Sequence, residues 1–555
     1  MLKKVLLFIV STGIFSMIFS AEPLIKVGII SDTHVNSDIS SYDILRGAME
    51  LFREKQVDMI ANCGDIAGKF NPQAYINYRR TVDGVYAGKK MPPELFAFAW
   101  HDRTGGREKD PQQQVFEDVK KNLGIRHGLY HSVDLKGYKF LLFPQEVDFE
   151  RCEKEISKAV SADPGKPVFI IDHVPPSGTV YNSLVWGDIK RREILEKFPQ
   201  VIHISGHVHG TLTNELNIWQ GKFTAVNAGS ITVWRLPLTG NAPEVLSADM
   251  AMIMEVFPDK VIFRRYFIST GKEYRSDDAW VVTLPFDPAK AAYAPEKRFA
   301  GIKAPAFPSG SKASNRILPD KVEVTFPAAE HPDGVFIYRV SLWRKDGGKE
   351  LCFAHNDVAG SFHLPVEKRP ETHSFSLNPG YFSTPGSYRI EIRPEHFSGA
   401  VGKAIQTELT IRNVPALEVI YESRTPMNDL PYISGTPGRE RLHAGKDGYY
   451  DNQIPDTRLE FPESVWQGKE GACFRFTMDV RMKQSGERSW NMMFRNDNPS
   501  LIVSGRISTP PGDSGSIRYV VDLYKFGDFH NYYLLICEGS GGKIRFEYVK
   551  IERLN

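Results

Sequence analysis

Between residues 26 and 210, five short apolar runs each stop at an acid or an imidazole. KVGIIS (26–31) ends in Asp32-Thr33-His34, and DMIANC (58–63) ends in Gly64-Asp65. LFAFAW (95–100) ends in His101-Asp102, PVFIID (167–172) in His173, and VIHIS (201–205) in Gly206-His207-Val208-His209-Gly210. Short, continuous apolar runs of this kind read as strands buried on both faces. The segments between them read as helices. SYDILRGAMELF places Ile44, Leu45, Ala48, Met49 and Phe52 on one helical face, and further helical stretches fall near 72–86, 112–123, 148–160 and 187–198. Asp110-Pro111 offers a cap and a first-turn proline for the third of these. Strand alternating with helix predicts an α/β domain. In an open α/β sheet, ligands bind beyond the carboxyl ends of the strands. Five such exits bearing Asp and His would therefore converge on one crevice. His203 lies inside its run and is read as a packed histidine.

These side chains suit metal chemistry. Imidazole favours zinc, iron and manganese, while carboxylate oxygens take harder divalent ions and can bridge two. Two ions about 3.5–4 Å apart clamp the attacking and leaving oxygens of an in-line phosphoryl displacement. The negative charge of Asp65 would offset repulsion between them. Asp32/His34 and His207/His209 are each two residues apart, so each pair can reach one ion or diverge to two. Gly64, Gly206 and Gly210 permit sharp turns there.

The ordered set DTH, GD, a histidine after a strand, a later lone histidine and GHVH resembles the calcineurin-like metallophosphoesterases. The resemblance spans about residues 24–285 and includes HVPPSGTVYNS and FTAVNAGS. It implies a four-layer α/β sandwich with one or two divalent ions (Mn, Fe or Zn) between its sheets. Asp32, His34, Asp65 and His209 would hold one ion, and Asp65, His173 and His207 the other. The family's third motif is Gly-Asn-His-Asp/Glu, whose asparagine binds the second ion and whose histidine protonates the leaving oxygen or contacts the phosphate. Here Ala99-Trp100-His101-Asp102 stands in its place. His101 and a carboxylate, Asp102, to set its tautomer are kept. Tryptophan offers only a donor N–H and cannot ligate a cation. Three protein ligands still suffice for zinc with water completing the shell, so weaker binding at the second site is expected. Asn62 lies within its strand and is a poor substitute. Trp100 reads as apolar filler before it reads as a stacking surface.

The rest of the chain bounds the context. At 555 residues it exceeds one core. A net charge of +2, with Lys and Arg spread along the chain, gives no signal for nucleic acid or an anionic membrane. Lys3 and Lys4, the apolar run 5–19 and then Ser20-Ala21 read as a signal peptide over residues 1–21. That run is short of the roughly 20 residues of a spanning helix. A secreted, periplasmic or cell-surface protein with no transmembrane helix after cleavage is expected, with an uncleaved anchor as the lesser alternative. The expected order is a metallophosphoesterase domain at 22–290 and a linker rich in Ala, Pro, Lys and Ser at 291–318. An immunoglobulin or fibronectin III-like sandwich at 319–415 comes next, then a jelly-roll or galactose-binding-like sandwich at 416–555. The fold class is thus α/β plus all-β.

Five cysteines at wide spacing make no scaffold, and Cys473 with Cys537 is either a pair or two buried thiols. Trp466, Trp490, Tyr532 and Tyr533 read as core aromatics or, less readily, as a sugar platform. Asp188 and Lys190-Arg191-Arg192 read as a solvated helix face. The functional expectation is a phosphoesterase using metal-bound hydroxide on a phosphomono- or diester. Glycan or a cell-surface polymer is the partner expected of the C-terminal sandwiches. The rival is a catalytically weakened binding or adhesion protein built on the same scaffold.

Overall fold

The computed structural model describes residues 22–553 apart from 36–38, 235–244, 247–248, 318–320, 347–348, 378, 383–385, 412–417, 425, 427–431, 434–448, 453–456, 466–473, 485–487, 496–501, 510–511, 524–532 and 538–541. The expected signal peptide therefore lies outside the described residues, as do Trp466, Cys473 and Tyr532 and the side chains of Trp490, Tyr533 and Cys537. The chain divides into two compact units, one formed mainly by residues up to Ala294 and the other mainly by residues from Pro295 onward.

The first unit follows the alternating pattern: β1 (Ile25–Ile30), α1 (Ile39–Glu54), β2 (Met59–Asn62), α2 (Pro72–Val85), β3 (Glu94–Phe96), α3 (Gln112–Leu123), β4 (His131–Leu135), β5 (Tyr138–Leu142), α4 (Phe149–Ala162), β6 (Val168–Ile171), α5 (Ser183–Trp186), α6 (Ile189–Leu195), β7 (Val201–Ser205), β8 (Ile218–Gln220) and β9 (Thr224–Asn227). It makes two sheets rather than one. In the first, β1, β2 and β3 run parallel, and β1 also pairs antiparallel with Met250–Val256. In the second, the order is β4-β5-β6-β7-β9-β8, with β5, β6, β7 and β9 parallel and antiparallel strands at both edges.

Helix starts follow local chemistry. Asn71 caps α2 by accepting the N–H groups of Gln73 and Ala74, ahead of Pro72. Asp148 and Asp188 cap α4 and α6 in the same way. The expected Asp110 cap is not formed. Pro111 takes the cap position without a side-chain bond, and Asp110 pairs with Arg107 instead. The third apolar run is strand only over β3, and residues 97–99 continue as buried irregular chain.

Apolar faces fix these elements. Leu45, Met49 and Phe52 of α1, Tyr75, Tyr78 and Val82 of α2, and Val115, Phe116 and Val119 of α3 pack with Ile30, Ile60 and Phe96 of the first sheet. Cys152, Ile156 and Ala159 of α4, with Ile194 and Leu195 of α6, pack with Leu141, Val168 and Ile170 of the second. Each large apolar side chain buried this way contributes about 1.5–3 kcal/mol. The strands are held firmly, so the loops at their carboxyl ends start from fixed points.

The second unit is sheet-rich. Strands Ser314–Ile317, Val322–Pro327 and Thr372–Leu377 form one antiparallel sheet. Lys349–His355, Ile337–Asp346, Gly386–Glu395 and Ile405–Ile411 lie in another. The two share a core of Val324, Phe326, Tyr338, Val340, Leu342, Ile390 and Ile392. The first of these sheets begins at Ser314, inside the segment 291–318. Beyond residue 417 two further antiparallel sheets follow, centred on Phe474–Gln484 with Gly542–Arg553 and on Arg488–Arg495 with Tyr533–Cys537. Among the described residues, no helix is long and apolar enough to cross a membrane.

Candidate metal centre

The five expected exits meet. The loops after β1 and β2 run side by side: Asp32 N–H donates to the Gly64 carbonyl (3.0 Å), and His34 N–H to that of Asp65 (3.1 Å). Across from them, Gly206 N–H after β7 donates to the carbonyl of His173 after β6 (3.0 Å). The backbone is turned into the left-handed region at Asp32, His34, Asp65, His207 and His209 (φ 39° to 72°). These are five of the nine non-glycine residues with positive φ among those described. Such conformations each cost of order 1–3 kcal/mol and gather where function needs a side chain aimed against local preference.

Two triads result. Asp32, His34 and His209 present ligand atoms within 4.8 Å of one another, as do Asp65, His173 and His207. In the first, Asp32 Oδ1 lies 3.1 Å from His209 Nε2 and 3.8 Å from His34 Nε2, and the two imidazole Nε2 atoms are 3.0 Å apart. In the second, Asp65 Oδ2 lies 3.1 Å from His173 Nε2, which is 3.2 Å from His207 Nδ1. Ligands about 2.0–2.1 Å from a tetrahedral zinc stand roughly 3.3 Å apart, so these separations are close to those of atoms sharing an ion. The carboxylates join the groups: Asp32 Oδ2 accepts from His207 N–H (2.9 Å) and Ser31 Oγ (2.6 Å).

Asp32 Oδ1 tests whether a cation fits. It is fully buried, has no hydrogen-bond donor, and is ringed by imidazole nitrogens. A buried carboxylate oxygen without a donor is expensive, and a cation would satisfy it. His173 Nδ1 donates to the Cys63 carbonyl (2.7 Å), which orients Nε2 inward as an outer hydrogen bond does for a ligating histidine.

The electrostatics agree. Burial pushes His34 and His207 down to about 4, so their nitrogens keep lone pairs at neutral pH. Burial would raise Asp32, but His209, His173 and His34 outweigh it and hold the carboxyl far below its ordinary range. Burial also opposes charge on His173, yet Asp65 wins and pushes that imidazole up to about 10. A cation at the second triad would displace this proton, as ligand deprotonation requires.

At the third exit the expectation needs correcting. His101 reaches the site: its N–H donates to Asp65 Oδ1 (3.1 Å), and its ring stands edge-on to His34 at 5.0 Å. Asp102 does not set its tautomer, because His101 Nδ1 is held by the Gly68 carbonyl (2.9 Å). Asp102 is buried behind the loop, where it takes the N–H groups of Ala67 and Ala99 and the hydroxyl of Tyr75 (3.4 Å each). Burial, then the charge of Asp65, raises its carboxyl well above the ordinary range. Asp102 staples the loop. Trp100 is also corrected, since it is 39% exposed and not core filler, with Arg103 over its ring. Asn62 is spent on the turn, accepting from Gly64 N–H (3.0 Å) and donating to Tyr78.

Other supports carried a weaker signal. Asn227 Nδ2 donates to the Gly206 carbonyl (2.6 Å), and Ser230 and Thr232 hydroxyls donate to that of Asp32. FTAVNAGS thus buttresses the first and fifth exits. Arg191, expected on a solvated face, is buried and bound to Asp172 (2.8 Å), the residue before His173. His203 is packed as expected, with Nε2 3.5 Å from Asp172. A methyl added at Gly206 would overlap Ser31 Oγ and Asp32 Oδ2. Gly206→Ala is therefore expected to weaken metal binding about 10–100-fold, the range for losing an outer-shell support. A competition titration against a chelator measures it.

A third cluster, His331, Asp333 and His396, lies in the second unit. Its hydrogen bonds argue against a cation there. Backbone N–H groups of Asp333 and Ser398 each donate to the Nδ1 atoms of His331 and His396 (both 3.1 Å). Each ring then carries its proton on Nε2, and His396 spends it on Asp333 Oδ2 (3.1 Å).

Residues 25–211 match the model of the calcineurin-like phosphoesterase family. No curated protein matches the chain. Solved structures similar to it include a dimetal phosphatase from Danio rerio, with 13% identity over 47% of this chain and 100% of that one (TM-score 0.31). Another is a purple acid phosphatase from yellow lupin (Lupinus luteus) seeds, with 15% identity over 47% of this chain and 54% of that one (TM-score 0.33). With the family match falling on the segment that builds both triads, residues 25–211 form a calcineurin-like metallophosphoesterase domain.

Proposed function

We propose that the protein is a secreted, metal-dependent hydrolase of phosphoric esters. The convergence of two Asp/His triads at the ends of four strands, with His101 from a fifth exit beside them, carries this reading. Asp32, His34 and His209 would hold one divalent ion, and His173 and His207 the other, with Asp65 between them. Bound ions would stabilise the phosphoryl oxygens and make water nucleophilic at neutral pH. The residues do the rest. His101 has Nδ1–H committed to the Gly68 carbonyl, so Nε2 is the atom that meets substrate, and it is the doubly protonated imidazolium that has a proton there to give to the leaving oxygen. Asp65 fixes the His101 backbone while it balances charge. Asp102, buried behind the loop, keeps the loop at its distance.

The export signal read at residues 1–21 supports secretion. We read the two sheets as the inner layers of a four-layer sandwich. The strand-rich segments 319–415 and 416–555 are read as fibronectin III-like and jelly-roll-like modules that position the enzyme or hold it to glycan or a cell-surface polymer.

The test uses the full chain. Metal per chain is measured, with hydrolysis of a generic phosphomonoester and phosphodiester in added Mn²⁺ or Zn²⁺. His101→Ala is expected to lower kcat about 10²-fold at unchanged metal content. If the fully loaded parent is no faster than His101→Ala, the domain is a binding scaffold and the enzyme reading fails.

A further inference from the structure

The segment from α5 to the first residue of α6 carries an exposed apolar surface beside the second triad. Leu184 is 82% exposed, Val185 76%, Trp186 42% and Ile189 60%. With Trp100 they make up five of the seven large apolar side chains exposed among the described residues of the first unit. Scattered exposed apolar residues are ordinary; a contiguous group marks a binding surface.

The group is held in place rather than frayed. Ser183 Oγ accepts Thr179 N–H (2.8 Å) and donates to the Val180 carbonyl (2.6 Å). Gly187 N–H closes the turn on Ser183 O (2.9 Å), and Ser177 and Asp188 are tied through backbone bonds to each other and to Pro175. Val180 and Tyr181 are buried beneath. The surface is continuous with the centre: the Trp186 ring stands edge-on to the His207 imidazole, centroids 5.7 Å apart. Trp100 adjoins His101 in sequence at the third exit.

We propose that the organic group of the phosphoric ester is apolar, aryl or long-chain alkyl, and seats on Trp186, Leu184 and Val185. This rests on the phosphoesterase reading. With the phosphoryl group between the triads, the group beyond the ester oxygen must lie against whatever flanks the ligands. A sugar or glycerol there would leave this surface in water, whereas an apolar group removes it from water. The indole of Trp186 supplies a broad, stiff contact face.

The probes are n-alkylphosphonates from methyl to octyl, titrated calorimetrically into the Mn²⁺-loaded full chain. Affinity is expected to rise about threefold per methylene over the first several carbons. Leu184→Ser and Trp186→Ala are expected to flatten that rise, and Leu184→Ser to leave methylphosphonate within twofold of the parent. A flat series in the parent overturns the inference, as do variants that weaken methyl and octyl equally. Hydrolysis of an aryl phosphate and of glycerol phosphate is followed in parallel. Chain-length dependence without turnover of either ester would sink the phosphoesterase reading alone. Turnover without chain-length dependence would sink the apolar specificity alone.

Discussion

Asp32→Asn is expected to remove about one metal equivalent per chain and to slow hydrolysis about 10³-fold, the several kcal/mol that a Lewis-acidic ion supplies to a phosphoryl transition state. The substitution preserves shape and changes one function. Asp32 Oδ2 accepts two hydrogen bonds, from His207 N–H and Ser31 Oγ. An asparagine would keep its carbonyl oxygen there to retain them. Its NH₂ group then replaces Oδ1 and points at His34 and His209, where a donor cannot ligate a cation. Stability should separate the two roles. Without metal, the variant loses the ionised carboxylate that His209, His173 and His34 hold below its ordinary range, so the metal-free variant should melt somewhat lower than the metal-free parent. With metal, the parent gains stabilisation that the variant lacks. Elemental analysis, steady-state rates and melting curves in both states check this. An unchanged metal content and rate would show that the first triad holds no functional ion.

The centre was legible because its signals are short and local. An apolar run ending in Asp or His needs no partner to be seen, and a parallel sheet aligns such ends at one edge, so Asp32, His34, Asp65, His173, His207 and His209 could be grouped from sequence alone. The positive φ at five of these positions was not legible, since neighbouring loops impose it. Misreadings arose where a role depends on what packs behind the residue. Asp102 follows His101 in sequence, yet adjacent side chains diverge in a tight turn, and Asp102 faces Ala67 and Tyr75. Trp100 follows a buried run, and its apolarity suggested more of the same; the chain turns at Ala99 and exposes it. Arg191 sits between Lys190 and Arg192 and looked like surface. Nothing local reveals that an acid, Asp172, waits buried at the neighbouring exit. More than one sheet was expected only through the family resemblance; the uniform strand–helix rhythm does not show how strands sort between sheets, because strand order is set by long-range pairing.

Arg191→Met is expected to destabilise the first unit by about 3–5 kcal/mol, the usual result of leaving one partner of a buried ion pair alone. That corresponds to roughly 10 °C in the melting transition of a unit this size. Arg191 Nε bonds Asp172 Oδ2 (2.8 Å), and its Nη1 bonds Asp188 Oδ2 (3.2 Å). Its Nη2 reaches the Gln145 carbonyl, and the side chain of Gln145 accepts Trp100 N–H (2.7 Å). One guanidinium therefore ties the fourth exit to the loop that braces the third. The remaining partner of Asp172 is His203 at 3.5 Å, while Asp172 Oδ1 accepts His173 N–H (2.6 Å), so an unsettled Asp172 would disturb a candidate ligand directly. The pH dependence has a definite sign. Burial raises the Asp172 carboxyl, but in the parent Arg191 outweighs it and holds it below its ordinary value. The pair's contribution is therefore present above the unfolded pKa of about 3.9 and is lost only as pH falls through the lower folded value. Without Arg191, burial prevails, the folded pKa rises above the unfolded one, and the penalty is relieved as pH falls and Asp172 protonates. The gap between parent and variant should thus narrow from pH 7 to pH 5. Adding Asp172→Asn to Arg191→Met removes the stranded charge and should recover much of the loss, whereas two independent sites would lose stability additively. Melting within 2 °C of the parent, or a double variant no better than the single, would show that Asp172 is adequately held by His203 and water.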